Sequence, residues 1–468
     1  MEKPSPSSFI FLFFLLLLKL NHGFSETGVP VGHQLLVQVP VAYQMGFTGR
    51  GFLIETNQTT PNFRVALSVE AIDGKYSCSL QVFLGDVKVW DSGHYSRFYT
   101  TVKCVLKLTV DGDLRLEGQK GRVGWKTGTS GQGVERLEIL NTGNLVLMDG
   151  LNTIKWQSFN FPTDVMLWGQ RLDVATRLTT FQSNSTLFYS FEIQYNRIAL
   201  YLNFGAMRYS YWELKPSKNR NITFAKLGSR GLELFDAKDK KIAQIPWQGF
   251  HPLRFLALKN ETGNFGLYYY SPEKAKFEAS FQALNSTCDL PVACQPYGVC
   301  TFSKACSCIQ ILAKVNEGSS DCSGEIPGGF CNGKEAEMLE LDNVSSVLRN
   351  TPTKVNISRE ACQKLCLQDC KCAAVLYSGS TARTNLTECY MYRLVLGLKQ
   401  VEKGNGLSYM VKVPKGTLNH GQHNMKKWVF VLVGVVDGIV LLLVAGGFGY
   451  WFIRKRRRSA TQSQASTS

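Results

Sequence analysis

The chain has 468 residues, 44% of them hydrophobic and 19% charged, a composition ordinary for folded protein and a length that calls for more than one domain. Its formal charge of +16 raises nucleic-acid binding first, but the clustered part sits at Lys426-Lys427 and Arg454–Arg458, on either side of an apolar stretch, which excludes nucleic acid as the simplest partner. Fourteen cysteines, most of them within 288–389 and without His clusters, exclude metal sites in favour of disulfides and an oxidising compartment.

Residues 1–25 read as a secretory signal. Lys3 gives a positive start, Phe9–Leu18 is apolar but too short to span a bilayer, and Gly23 and Ser25 are small residues of the kind a signal peptidase accepts. An N-terminal anchor is the other reading. Residues 30–175 alternate apolar and polar positions in short runs, as at Val65–Val69, Leu80–Leu84 and Val105–Leu108, with Asp73-Gly74 and Asp111-Gly112 as turns. A Gly-Asn/Asp-Leu/Phe-x-Leu unit recurs at Gly112–Leu116, Gly143–Leu147 and Gly263–Leu267, each copy reading as a turn feeding a strand. Residues 180–284 continue the β pattern through Ile198–Leu202 and Leu267–Tyr270. Cys78 and Cys104 are alone in the first stretch and are expected to pair.

Residues 288–322 form a module too short to bury a core, so its six cysteines must substitute for one, with fifteen connectivities open. In 331–413 the spacing of Cys362, Cys366 and Cys370 places them along one face of a helix, with Ser358 as its N-cap. A zinc site is the competing reading there, weakened by the lack of nearby His. Trp428–Ile453 has the length and apolarity of a membrane-spanning helix, with Trp428 and Tyr450-Trp451 as aromatic belts. The basic block after it marks the cytoplasmic side, leaving 454–468 as a short tail. Sequons for N-glycosylation stand at Asn57, Asn184, Asn221, Asn260, Asn285, Asn343, Asn356 and Asn385, all between the signal and the span. Inside the span, Asp437 is costly in hydrocarbon and lies between Gly434 and Gly438, a pair that lets helices approach closely. Lateral association, with a second copy or with a receptor-kinase partner, is the function this implies.

Leu137–Gly150 reads as a hairpin, and Trp156-Gln-Ser-Phe-Asn-Phe-Pro-Thr-Asp164 follows it before Gly169-Gln170-x-Leu172. This stretch resembles the bulb-type lectin domain of plant S-locus glycoproteins and receptor-like proteins. Tyr297-Gly298-x-Cys300 resembles the EGF-like module of that family, and Glu360-Ala361-Cys362 through Cys372-Ala373-Ala374 resembles its PAN/apple domain. The resemblance implies a mostly β fold. Its order is a signal at 1–25, a lectin prism at 30–175, a second lectin-like S-locus domain at 180–284, the EGF-like module at 288–322, an α+β PAN domain at 331–413 and a transmembrane helix at 428–453. It also implies the pairs Cys288–Cys300, Cys294–Cys306, Cys308–Cys322, Cys331–Cys370, Cys362–Cys389 and Cys366–Cys372.

The mannose motif of such lectins is Gln-x-Asp-x-Asn-x-Val-x-Tyr. Aligned on Asp111, the chain reads Thr109-x-Asp111-x-Asp113-x-Arg115-x-Glu117. Aligned on Asn144, it reads Leu140-x-Thr142-x-Asn144-x-Val146-x-Met148. Asp111, Asp113, Asn144 and Val146 are therefore the candidate sugar contacts, in a depleted motif that predicts weak mannose binding or none. Neither HExxH, Gly-x-Ser-x-Gly nor a P-loop is present, no cofactor is implied, and the short tail leaves no room for a kinase, so the expectation is not an enzyme. The expected role is a plasma-membrane receptor-like glycoprotein for an extracellular protein or glycan, with a mannose-type surface lectin as the alternative.

Overall fold

The computed structural model describes residues 28–415, apart from 59, 181–186, 218–219, 248, 310–321, 323–329, 332–334, 350–352, 380–385 and 403–405, together with 446 and 449–451. The expected signal, most of the expected span with Gly434, Asp437 and Gly438, and the sequons at Asn184 and Asn385 lie outside the described residues. Among the described residues, no helix is long and apolar enough to cross a membrane.

Three antiparallel sheets make the first unit. One is built on the hairpin Val134–Ile139 and Leu145–Asp149, flanked by Val29–Pro30 and Ile154–Gln157. The second runs Val123–Lys126, Leu114–Glu117, Lys103–Leu108, Gln34–Gln38. The third centres on Phe63–Ile72 and Lys75–Leu84. Alternation along the strands turns Leu67, Leu80, Leu106, Leu114, Leu137 and Leu145 into one closed core. Each sheet also sends one tryptophan to the centre. Trp90, Trp125 and Trp156 form an edge-to-face triangle with centroids 5.9–6.3 Å apart. Aromatic pairs in this arrangement add about 0.5–1.5 kcal/mol each beyond area burial.

A second three-sheet unit repeats the plan with three four-stranded sheets. Its inner faces carry Phe191, Leu200, Leu234, Leu256 and Phe265. Strands Val165–Leu167 and Arg171–Asp173 fall inside the stretch expected to close the first domain, and Arg177–Thr179 just after it, yet all three pair with strands of the second unit. The exchange has a packing reason. In the sheet of Val165–Leu167, Leu253–Leu258, Phe265–Ser271 and Lys276–Gln282, the first two strands feed both cores. Phe255 joins the first core, while Leu256 and Leu258 join the second.

The cysteine-rich segment docks rather than standing alone. Gly298–Cys300 pairs antiparallel with Cys306–Cys308 and parallel with Leu398–Gln400, which in turn pairs with Val344–Ser346. The last unit is a five-stranded sheet crossed by the helix Arg359–Gln368. Ser358 caps that helix, its hydroxyl accepting from the Ala361 N–H at 3.2 Å. At the other end Lys412, 2% exposed, donates to the carbonyls of Cys366, Leu367 and Asp369 at 3.0, 3.3 and 3.1 Å. The cysteines at 362, 366 and 370 bridge to 389, 372 and 331. Cys78–Cys104, Cys288–Cys300, Cys294–Cys306 and Cys308–Cys322 are also joined, and no cysteine is free. One core runs from the second three-sheet unit into this region, through the Tyr209–Tyr392–Tyr409 contacts at 5.8 and 5.9 Å.

Candidate functional site

The recurring unit of the sequence is a recurring piece of geometry. At each copy the chain turns through a glycine of positive φ: Gly112 at 89°, Gly143 at 82° and Gly263 at 70°. The glycine N–H donates back to Thr109, Leu140 and Lys259, and the N–H of each of those residues donates in turn to the carbonyl of Asp113, Asn144 and Asn264. The residue after the glycine is buried at every copy.

Its side chain is spent on the fold. Asn144 donates from Nδ2 to Gln157 Oε1 at 2.7 Å, and its Oδ1 accepts from Ser158 Oγ at 3.3 Å and the Phe159 N–H at 3.2 Å. Asn264 donates to the Leu284 carbonyl at 2.8 Å and accepts from its N–H at 3.0 Å. Asp113 accepts from Arg115 Nε at 2.8 Å, Thr127 Oγ1 at 3.0 Å, and the N–H groups of Gly128 and Thr129 at 2.7 and 3.2 Å. Burial works against the Asp113 charge, but these donors outweigh it and hold the carboxyl below its usual range. Each residue ties its turn to a following segment.

Of the four candidate sugar contacts, Asp113, Asn144 and Val146 are buried, Val146 with no exposed surface at all. Asp111 alone faces solvent, where it accepts the Ser130 hydroxyl. The structure does not bring Asp111 and Asn144 into one pocket: they belong to separate copies on separate sheets. Gln157 and Ser158, which hold Asn144, belong to the Trp-Gln-Ser-Phe stretch. The Thr127–Thr129 loop that holds Asp113 carries no signal in the sequence.

Two further features were not foreseen. His94 is buried where the first and second units meet, its Nε2 2.8 Å from the Thr179 carbonyl. Burial keeps the His94 imidazole below its ordinary pKa and pushes the neighbouring Asp164 carboxyl up. Lys88, Asp91 and Arg97 line the same cavity of about 180 Å³. The second feature is a larger cleft of about 830 Å³ between the second three-sheet unit and the C-terminal region. Among the sequons described, Asn57, Asn221, Asn260, Asn285 and Asn356 are exposed and Asn343 is half-buried. Among the described residues, no cluster of His, Cys, Asp or Glu is arranged to hold a metal ion.

Tandem three-sheet β units, each closing on glycine turns, with a disulfide-rich region behind them, define a lectin-like class of protein. A family model described as D-mannose binding lectin matches residues 89–187, a span that contains all three tryptophans of the central triangle. The chain is 22% identical over 441 residues to a G-type lectin S-receptor-like serine/threonine-protein kinase of Arabidopsis thaliana, covering 89% of this chain and 52% of the kinase. It is 25% identical over 366 residues to a PAN domain-containing protein of the same plant, covering 75% of this chain and 72% of that one. Among solved structures, a monomeric monocot mannose-binding lectin from Gastrodia elata is similar over 27% of this chain and 94% of its own, at 22% identity and a TM-score of 0.17. The chain thus spans about half the length of the kinase it matches. The lectin-model match and these relatives support the bulb-type lectin, S-locus receptor-like family for this chain.

Proposed function

We propose that this chain is a cell-surface receptor-like glycoprotein. In this reading its ectodomain recognises an extracellular ligand by some means other than the mannose motif, and partner proteins supply the signalling. Relatives named as S-receptor-like kinases favour the receptor reading. The observation that carries the ligand part is the state of Asn144: its buried amide donates to Gln157 and accepts from Ser158 and Phe159, so a sugar would have to break fold contacts to use these groups. The domain order of lectin prism, second lectin-like unit, EGF-like module and PAN domain belongs to this proposal. So does a membrane span over 428–453 with the N-terminal side outside.

Glycan-array binding of the purified chain tests the ligand part. Saturable oligomannose binding that Asn144→Ala abolishes without unfolding would favour a mannose-type surface lectin instead. Proximity labelling from the C-terminal end, with Gly434→Leu and Asp437→Leu as controls, tests association through the span. Partners that persist in both variants would count against that association.

A further inference from the structure

The cleft of about 830 Å³ is a composite. The second three-sheet unit supplies Gln194, Arg197, Tyr201 and Arg208. The cysteine-rich segment supplies Asp289, and the C-terminal region supplies Arg349, Tyr390 and Lys399. Its walls are fixed to one another by main-chain and core contacts. Ser210 and Arg349 exchange two backbone hydrogen bonds, at 2.9 and 2.6 Å, and the Arg393 N–H donates to the Tyr209 hydroxyl at 3.2 Å. The cleft is therefore formed before any ligand arrives, and its volume lies in the usual range for ligand sites, roughly 300–1,000 Å³.

What a ligand would meet there is mostly polar and of mixed charge, with Arg197, Arg208, Arg349 and Lys399 set among Glu213, Asp289 and Glu388. Of the apolar lining residues, Tyr211, Val347, Leu348, Leu376 and Tyr392 are buried, while Leu284, Val401 and Leu407 are half-buried. The cations are mostly braced. Arg197 is held by Glu213 at 2.8 Å and by Gln194 at 3.0 Å, and Lys399 by Asp289 at 2.7 Å. Arg208 pairs with Glu192 and stacks 3.7 Å over the Tyr201 ring. Glu388 already accepts the Tyr390 hydroxyl at 2.6 Å. Exposed Arg349 is the exception, with no carboxylate within ion-pair distance among the described residues. An unpaired guanidinium in a preformed cleft presents the bidentate fork that suits a carboxylate.

The remaining lining narrows the class. Strand addition by a peptide is obstructed, because the Ser210 N–H and carbonyl on the edge strand Met207–Leu214 are already taken by Arg349. The hydroxyl oxygens of Ser210, Ser378 and Tyr390 keep acceptor capacity that suits the hydroxyl groups of sugars instead.

We propose that this cleft binds an oligosaccharide bearing carboxylates, of the uronic-acid class, with Arg349 as the carboxylate contact. The site is distinct from the lectin-repeat turns and does not depend on any sugar binding there.

The test is calorimetry on the purified full chain with short oligogalacturonates. Fully methyl-esterified oligogalacturonate, neutral oligomannose and polyglutamate serve as comparison probes. Wild type should bind the free-acid oligosaccharide and not its ester. Arg349→Gln should weaken binding about tenfold or more, and Arg349→Lys, which keeps the charge and loses the fork, should weaken it less. Arg349→Gln keeps the main-chain bonds to Ser210, and an unchanged melting profile verifies that. Lys238→Gln, the same charge change at a distant turn, should leave binding intact. The proposal is overturned by an absence of oligogalacturonate binding, by equal binding of polyglutamate, or by equal weakening in Lys238→Gln. Neutral-glycan results bear on the broader recognition reading alone, so failure of one is separable from failure of the other.

Discussion

Replacing Lys412 by methionine should loosen one helix and leave the lectin-like units untouched. The ammonium of Lys412 is the C-terminal cap of Arg359–Gln368, with three carbonyl acceptors, and it also lies 5.0 Å from the Phe330 ring. Methionine matches the length of the stem but offers no donor. Hydrogen bonds from a charged donor are worth about 1.5–3 kcal/mol each, and a buried acceptor left alone costs about 1–3 kcal/mol. Only the Cys366 bond is fully buried; the Leu367 and Asp369 carbonyls are partly open and can turn to water. Burial also holds the Lys412 ammonium below its ordinary pKa, so its removal returns part of a desolvation cost. The net loss should be about 2–4 kcal/mol, which is about 30- to 700-fold in local opening. The three disulfides around the helix place the effect toward the lower end. Amide hydrogen exchange of the helix, read against the strand Leu145–Asp149 as internal control, measures it. A change of less than about threefold, or equal loss of protection in both segments, would refute the capping argument.

Asn144→Ala should lower stability by about 1–3 kcal/mol in denaturant unfolding, because it leaves the Ser158 hydroxyl and the Phe159 N–H without their acceptor; no loss would reopen Asn144 as a ligand residue. Gly143→Ala should be worse than an ordinary turn substitution. Its φ is 82°, and an added Cβ would meet the Phe63 ring at 2.4 Å and Leu167 at 2.7 Å, so a drop in secreted yield or melting temperature is expected. His94 has a pH signature. Its folded pKa lies below the ordinary 6.5, so as pH falls below that value the unfolded chain takes up a proton before the folded one, and stability is lost. Asp164 opposes this, since its raised pKa makes the folded state take up a proton first at lower pH. His94→Gln retains a donor toward Thr179 and should flatten the loss just below pH 6.5 in melting curves; an unchanged pH profile would show that another group is responsible.

The strands and turns were legible because their signals are local. Period-two alternation and Asp-Gly or Gly-Asn turns set the hairpins, and the spacing of Cys362, Cys366 and Cys370 set a helix face. What the sequence hides is partnership across distance. Val165–Leu167 sits just after the Trp156–Pro162 stretch, yet its hydrogen-bond partners are nearly ninety residues on, at Phe255–Ala257. The tryptophan triangle likewise joins three strands whose separate patterns reveal nothing of the others. The site was harder still, since a motif alignment fixes residue types but not the direction of the hydrogen bonds. Asn144 satisfies the mannose pattern by identity and fails it by orientation.

That orientation explains how a lectin-like fold can stand while its sugar motif is depleted. Closing each turn needs a glycine of positive φ, a backbone pair and one polar side chain directed inward. In the second copy those requirements fall on Gly143, on the main chain of Leu140 and Asn144, and on the Asn144 side chain. The positions at which this chain departs from the mannose pattern are Leu140, Thr142 and Met148. Leu140 contributes only its backbone to closing the turn, the Thr142 hydroxyl only a long contact at 3.4 Å to the Asn144 N–H, and Met148 lies outside it. The Leu140 and Thr142 side chains can change with little cost to the turn, whereas a change at Asn144 strands buried donors. In this copy the two residues that keep the pattern, Asn144 and Val146, are both buried in the fold, whereas in the first copy the Asp111 that keeps it faces solvent. The presence of Asn144 and Val146 is evidence for the prism, and ligand recognition has to be sought on other surfaces, such as the junction cleft with its exposed Arg349.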